Sequence, residues 1–472
     1  MKKLIYITVL VLTCYSCSKL VEDINDDPNS LTQTSYDNIL TGAEVGNIIL
    51  QTGETARRAA IFAGQYTGID RQHQGFTIYN VTTSDFDGLW YDAYVDTYRN
   101  AITAEQNIIQ NEIGSVSQGI TQVIQAYALG TVAALYGDAP FTEAGNIEIQ
   151  DPVYVEQTEL YVGVQSLLDE AIINLEAGDG RPTGGAEIYN DGNPTLWREA
   201  AFTLKARFYM QTRQYDMAYA AAQNGISAFE NSLYAPHGTA QDASNLNYQF
   251  FAIEVRQADV VVSEFMTSLV QPGTSNPIPE NYRGNSKTDE TARFNYLFEI
   301  NSTGVQPNTM DGFAAQTASA PLVTYQENLL ILAEAGFRTQ GFQVGLDALN
   351  DFRSFMNGGG YMANVDMANV NYAPYDTSDF ASGGIENPDG ISQENALLRE
   401  ILEERYVTFF GLIEPFNDMR RTQDETQVRV PVQPNVGNEL PQRFLYPQTE
   451  IDRNENTPSP IPNFFDPTDI NS

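Results

Sequence analysis

Chemistry in this chain has to come from carboxylates, guanidinium groups and aromatic rings, because little else is available. Only two histidines, His73 and His237, and two cysteines, Cys14 and Cys17, occur, which excludes an HExxH helix, a His-rich metal site and a thiolate site in the mature chain. Neither a G-x-S-x-G elbow nor a P-loop is present. Gly358, Gly360 and Ala363 have G-x-G-x-x-A spacing, but they follow a predicted helix rather than a strand. Asp23, Asn25 and Asp27 alternate like calcium ligands, yet Pro28 stands where such a loop needs Gly and Thr34 where it needs Glu. No metal and no cofactor is therefore expected. Carboxylates are numerous enough for a glycosidase pair, whose separation no sequence gives, so a surface glycosidase stays open as an alternative.

The densest charge lies in Leu397 to Thr422. Leu398, Leu402, Tyr406, Phe409 and Ile413 recur at helical spacing, while Arg399, Glu400, Glu403, Glu404 and Arg405 crowd the first half and Arg420 and Arg421 follow Pro415. Glu327 and Glu334 sit two turns apart on another predicted helix. Buried carboxylates need partners, so the expectation is an ion network drawing on Arg353, Arg399, Arg405, Arg420 and Arg421 rather than an acid/base pair.

Two stretches have the composition of a sugar site, in which an aromatic face stacks on a pyranose and polar side chains bind its hydroxyl rim. Tyr66 to Asp85 reads as a loop presenting Phe76 and Tyr79 beside Arg71 and His73. In the second stretch, Tyr282, Arg283, Asn285, Phe294 and Tyr296 stand among Gly, Asn, Pro and Ser. The ligand-contact candidates are thus Arg71, His73, Phe76, Tyr79, Tyr282 and Asn285, with Trp90 assigned to the core.

With 42% hydrophobic, 11% aromatic and 18% charged residues, the 472-residue chain is globular. Its formal charge is −36 from 25 basic and 61 acidic residues, and removal of Lys2 and Lys3 with a signal peptide makes it −38. Such a field repels nucleic acid and anionic lipid. Lys2 and Lys3 precede the apolar run Leu4 to Thr13, too short to span a bilayer but suited to a signal peptide over 1–16. Cys17, after the small Ser16, is the expected lipid-bearing residue, with Cys14 as the alternative; diacylation and a further acyl chain such as palmitate give stable anchoring. Residues 17–34 form an acidic tether, and 35–472 a single domain with a loop-rich insertion at about 231–320.

Helical periodicity predicts helices over Ser35 to Gln65 with a break near Gly53, from Asp85 as cap through Trp90, Tyr94, Tyr98 and Ile109, and over Gly119 to Tyr136, Tyr154 to Leu175, Pro194 to Gln211 and Tyr215 to Phe229. Further helices are expected at Val260 to Leu269, from Pro321 through Arg338, and over Gly341 to Met356. Asn357 to Asp389 reads as a surface loop. The pair Pro194–Gln211 and Tyr215–Phe229 has the size of a tetratricopeptide unit.

Six segments in order also carry a resemblance: SKLVEDINDDPNSLTQT, TVAALYGDAPFTEA, NPTLWREAAFTLKARFYM with Thr203 where Ser is usual, PLVTYQENLLILAEAGFR, ILEERYVTFFGLIEPFNDMRR and RFLYPQTEIDRNENTP. They resemble segments of the SusD/RagB family of surface nutrient-binding lipoproteins, in its shorter SusD-like subgroup. The resemblance implies a mainly α fold, a superhelix of four tetratricopeptide-like helix pairs with loop-rich insertions forming the ligand-binding part. It also implies a non-catalytic lid on a SusC-like TonB-dependent outer-membrane barrel, taking oligo- or polysaccharide, or peptide in a RagB-like alternative.

Overall fold

The computed structural model describes residues 35–472 except 147, 183, 254, 255, 257 and 273–277. The signal peptide, Cys14, Cys17 and the 17–34 tether lie outside the described residues.

Most of the scaffold is helix pairs. Tyr36–Thr52 packs along the continuous helical rod of Asp87–Tyr91, Asp92–Arg99 and Asn100–Gln110. Ser115–Tyr136 pairs with Gln157–Ala177, Pro194–Gln211 with Tyr215–Ala222, and Tyr325–Gln340 with Phe342–Asn357. Neighbouring pairs stack through Gln157–Ala177 on Pro194–Gln211 and Tyr215–Ala222 on Tyr325–Gln340, so each buries the apolar face of the next. The helix Ser115–Tyr136 is buried along nearly its whole length. Gly130 on it has no side chain because a Cβ there would lie 2.1 Å from the Phe208 ring.

Local chemistry explains the boundaries. Asn193 caps Pro194–Gln211 by accepting from Thr195 N, and Pro194 occupies the first turn, where its missing N–H costs nothing. Pro321 does not open a helix. It lies in strand Ala320–Val323, antiparallel to Leu233–Ala235, and Thr324 caps the helix that begins at Tyr325. Asp85 is not a cap either: Thr82 is, with Asp85 Oδ2 accepting from Thr82 N at 2.7 Å in a capping box. Val260 to Leu269 is split, because three successive valines favour the extended form. Val260–Val262 pairs antiparallel with Tyr66–Gly68, and Ser263 caps Glu264–Val270. Between 231 and 320 short elements of this kind alternate, including the hairpin Phe298–Asn301 and Gly304–Pro307.

The charged stretch 397–422 is carried by two helices. Gln393–Thr408 ends before Gly411, whose φ of +74° needs glycine, and Glu414–Arg421 starts with Pro415 in its first turn. Its charges form the expected ion network. Glu334, without exposed surface, accepts from Arg421 at 2.5 and 2.6 Å and from Arg338 at 2.9 Å, and lies 3.4 Å from Arg405. Asp418 joins Arg405 and Arg421, each at 2.8 Å. Around the other flank, Arg283 meets Glu400 at 2.8 Å and Glu404 at 2.9 Å, while Arg293 meets Glu404 at 2.6 Å. Arg399 pairs outside this network with Asp389, Arg353 comes only within 4.0 Å of Glu400, and two further partners differ from expectation. Glu327 pairs with Arg207 from a distant helix, and Arg420 faces no carboxylate among the described residues, donating to the Phe416 and Gln442 carbonyls while burial pushes it down to about 9.

Removing Glu334 leaves only Asp418 and the more exposed Glu425 against three largely buried guanidinium groups, so Glu334→Ala is expected to lose about 3 to 5 kcal/mol in urea unfolding. A second prediction concerns the Asp92–Arg99 segment, which has π geometry. Burial, with Asp96 adding, raises Asp92 to about 6 from 3.8. The folded state therefore binds the extra proton between these values, and stability falls as pH rises through that window. Asp92→Asn removes the fall, so its melting temperature relative to wild type is expected to increase from pH 4 to pH 7.

Candidate ligand-binding cleft

The first predicted set divides between surface and core. Residues 71–77 are a short helix rather than a loop, capped by Asp70, which accepts from Arg71 N. His73 and Phe76, three residues apart, share its inner face and are 0% and 2% exposed. The Phe76 ring lies under the Arg58 guanidinium at 4.4 Å, and His73 is edge-on to Phe250 at 5.2 Å, with Asp259 at 3.5 Å and Glu54 at 3.6 Å. Neither can touch a ligand: the rings plug the core. Arg71 stays half-exposed, 3.5 Å from Asp259. Tyr79 is the left-handed residue that closes this helix, with φ +59°, and its ring packs on Phe464 and Phe465 while its hydroxyl accepts from Asn435 N.

The second set is brought together only in part. Phe294 is core, and Tyr296 packs on Tyr361 at a separate small cavity. Tyr282 and Asn285 line one open cleft of about 560 Å³ between the 280–285 loop, the 385–391 loop and the helix Gln393–Thr408. Gly284 makes room for the Tyr282 ring, since a Cβ there would lie 2.2 Å from it. Asn285 donates to Glu386 and to the Tyr375 hydroxyl and accepts from Lys287 N, so its amide fixes the wall of the cleft.

Behind the wall stands the ion network. Arg283 is fully buried against Glu290, Glu400 and Glu404, which holds the adjacent loop rigidly. Glu403 faces the cleft, and burial pushes its carboxyl up against the opposing pull of Arg283. Arg399, bidentate to Asp389 at 2.8 and 2.9 Å, lines the opposite side. Glu400 is committed to Arg283, so Glu400 and Glu403 do not present two free carboxylates for acid/base work. What the cleft offers is one ring and a fixed polar rim. Among the described residues no group of three His, Cys, Asp or Glu could hold a metal, and no helix is long and apolar enough to cross a membrane.

The comparisons agree with this architecture. The SusD-like family model described as "Starch-binding associating with outer membrane" matches residues 28–447. The chain belongs to the SusD-like family, whose members are nutrient-binding proteins associated with the outer membrane. Among solved structures, a SusD/RagB family protein from Bacteroides thetaiotaomicron is 19% identical with a TM-score of 0.66, covering 90% of this chain and 95% of that one. A SusD homologue from Bacteroides uniformis gives 17%, 0.68, and 93% and 100%. A chitin-binding SusD homologue from Flavobacterium johnsoniae gives 16%, 0.63, and 93% and 97%. These likenesses show the mainly helical, tetratricopeptide-like fold. No curated protein matches.

Burial separates the two sets experimentally. Phe76→Ala is expected to cost about 3 to 5 kcal/mol of stability, read in urea unfolding. Tyr282→Ala is expected to leave stability within about 1 kcal/mol, since its ring is partly exposed. Equal losses would remove the distinction.

Proposed function

We propose that this protein is a non-catalytic receptor, lipid-anchored through Cys17 and facing the cell exterior, that captures oligo- or polysaccharide and delivers it to a SusC-like TonB-dependent barrel. The observation that carries this reading is the Tyr282 cleft in a SusD-like fold, where a ring and a hydrogen-bonding rim stand on a wall braced by buried ion pairs. A pyranose stacks its apolar face on Tyr282, while Asn281, Arg399 and Gln427 meet its hydroxyls. Rigidity lowers the ordering cost of capture. Release into the barrel then needs only weak binding.

One observation favours peptide instead: Glu280, Glu386, Asp389 and Glu403 line the same cleft in a strongly acidic chain, which suits cationic side chains.

The test is calorimetry and gel retardation of the full chain in detergent with maltoheptaose, chitohexaose, neutral polysaccharides and a tryptic peptide digest, with product analysis of each mixture. Binding of a glycan without released products, weakened at least tenfold by Tyr282→Ala, is the expected result. Heat from the peptides alone transfers the assignment to peptide import. Released sugar products would make it a glycosidase.

A further inference from the structure

A second cleft, of about 580 Å³, opens between Asp87–Arg99, the residues that follow Pro140, and the helix Gln448–Arg453. Its floor is aromatic. Trp90 lies 4.6 Å from Tyr94, edge-on to Tyr136 at 5.0 Å, and parallel to Tyr154 at 6.4 Å with 16° between the planes. Tyr94 is fixed by donating its hydroxyl to the Pro140 carbonyl at 2.7 Å. Tyr91 stands on the rim, 54% exposed, its hydroxyl without a hydrogen bond to any described residue.

The polar groups of the rim have a clear division. Its carboxylates are occupied by the protein: Asp87 accepts from Thr449 N and Oγ1 at 2.9 and 3.0 Å, and Glu450 accepts from the Tyr154 hydroxyl and Asn454 Nδ2 at 3.1 and 3.2 Å. The guanidinium groups of Arg99 and Arg453, also on the rim, lie within 4.0 Å of no carboxylate among the described residues, although Arg99 is near enough to Asp96 to pull on its carboxyl. A ring that is exposed, a rigid aromatic floor and unpaired donor forks are the complement of a pyranose, which offers an apolar face and acceptor hydroxyls.

The backbone adds an independent sign. Asp92–Arg99, which carries Tyr94, Val95 and Arg99 to the cleft, has π geometry over eight residues, with Thr97 Oγ1 donating to Asp92 O, five residues back, at 2.8 Å. Such segments are less favourable than α-helix and concentrate at functional sites. The close approach of Gly46, where a Cβ would meet Asp96 O at 2.4 Å, holds the segment from behind. That contact does not account for the exposed Tyr91 or the unpaired arginines in front.

We infer that the Trp90–Tyr91–Tyr94 cleft is a second carbohydrate-binding site, separate from the Tyr282 cleft, that stacks a pyranose unit of an oligosaccharide. A glycan long enough to reach both clefts binds more tightly than at either alone, because the second contact is intramolecular.

The chain has two tryptophans, Trp90 and Trp197, so Trp197→Phe leaves Trp90 as the sole emitter under tryptophan-selective excitation. The full chain with this change is titrated in detergent with maltoheptaose and with chitohexaose. Expected is a saturable change in emission with at least one of them, shifted at least tenfold to higher concentration by Tyr91→Ala and retained in Tyr282→Ala. Tyr91 is exposed, so the fold should persist. Should Tyr91→Ala unfold, Arg453→Ala carries the same expectation. No change with either sugar, a change that survives the rim substitutions, or a response only to a tryptic peptide digest would overturn the inference. Sugar heat that disappears in Tyr282→Ala without any Trp90 response would overturn this site and leave the first intact.

Discussion

Glu334 is the group on which the rest of the structure depends. Its carboxylate has no exposed surface and faces Arg338, Arg405 and Arg421, and their combined attraction holds its carboxyl far below the ordinary glutamate range despite burial. Such a cluster stabilises little relative to a well-packed apolar substitute, but loss of any one member leaves an uncompensated buried charge. It therefore acts as a registry device. Helix Tyr325–Gln340 can meet Gln393–Thr408 and Glu414–Arg421 in only one alignment, and Asp418 repeats the constraint through the same two arginines.

The same helix carries that constraint to the loop-rich side. Glu400 and Glu404, about one turn apart on Gln393–Thr408, draw Arg283 and Arg293 inward. Arg283 follows Tyr282 directly, so the ion pairs that lock the scaffold also position the ring of the first cleft. The second cleft is built differently. Its rings rest on one another and on a π segment pressed by the Tyr36–Thr52 helix. In both cases the recognition surface stands on packed elements rather than on free loops, which limits the entropy lost on binding.

Strong helical periodicity made the paired helices legible in the residues, and Pro194–Gln211 has the very bounds its cap and proline imply. The family was legible too, and two of its six segments hold the ion network: Glu327, Glu334, Glu404, Arg405 and Arg421 all lie in them, and all are buried ion-pair members. Composition failed at Tyr66 to Asp85. A stretch rich in Gly, Thr and Asn reads as loop, but Asp70 can cap a single turn and His73 and Phe76 at i and i+3 then point inward. Tyr91 lies off the predicted apolar stripe through Trp90, Tyr94 and Tyr98, and its exposure depends on which side of the rod the Tyr36–Thr52 helix covers.

What the sequence by itself determined is therefore the class of fold, the scarcity of histidine and cysteine, and the need of its buried carboxylates for arginine partners, since periodicity and charge are local properties. Only the tertiary structure decided which arginine each carboxylate meets, as with Arg207 on Glu327 and Arg283 on Glu404, and which aromatic rings remain open to a ligand. Pairing and exposure depend on contacts between residues a hundred or more positions apart, and burial treats a Phe76 and a Tyr91 of similar chemistry in opposite ways.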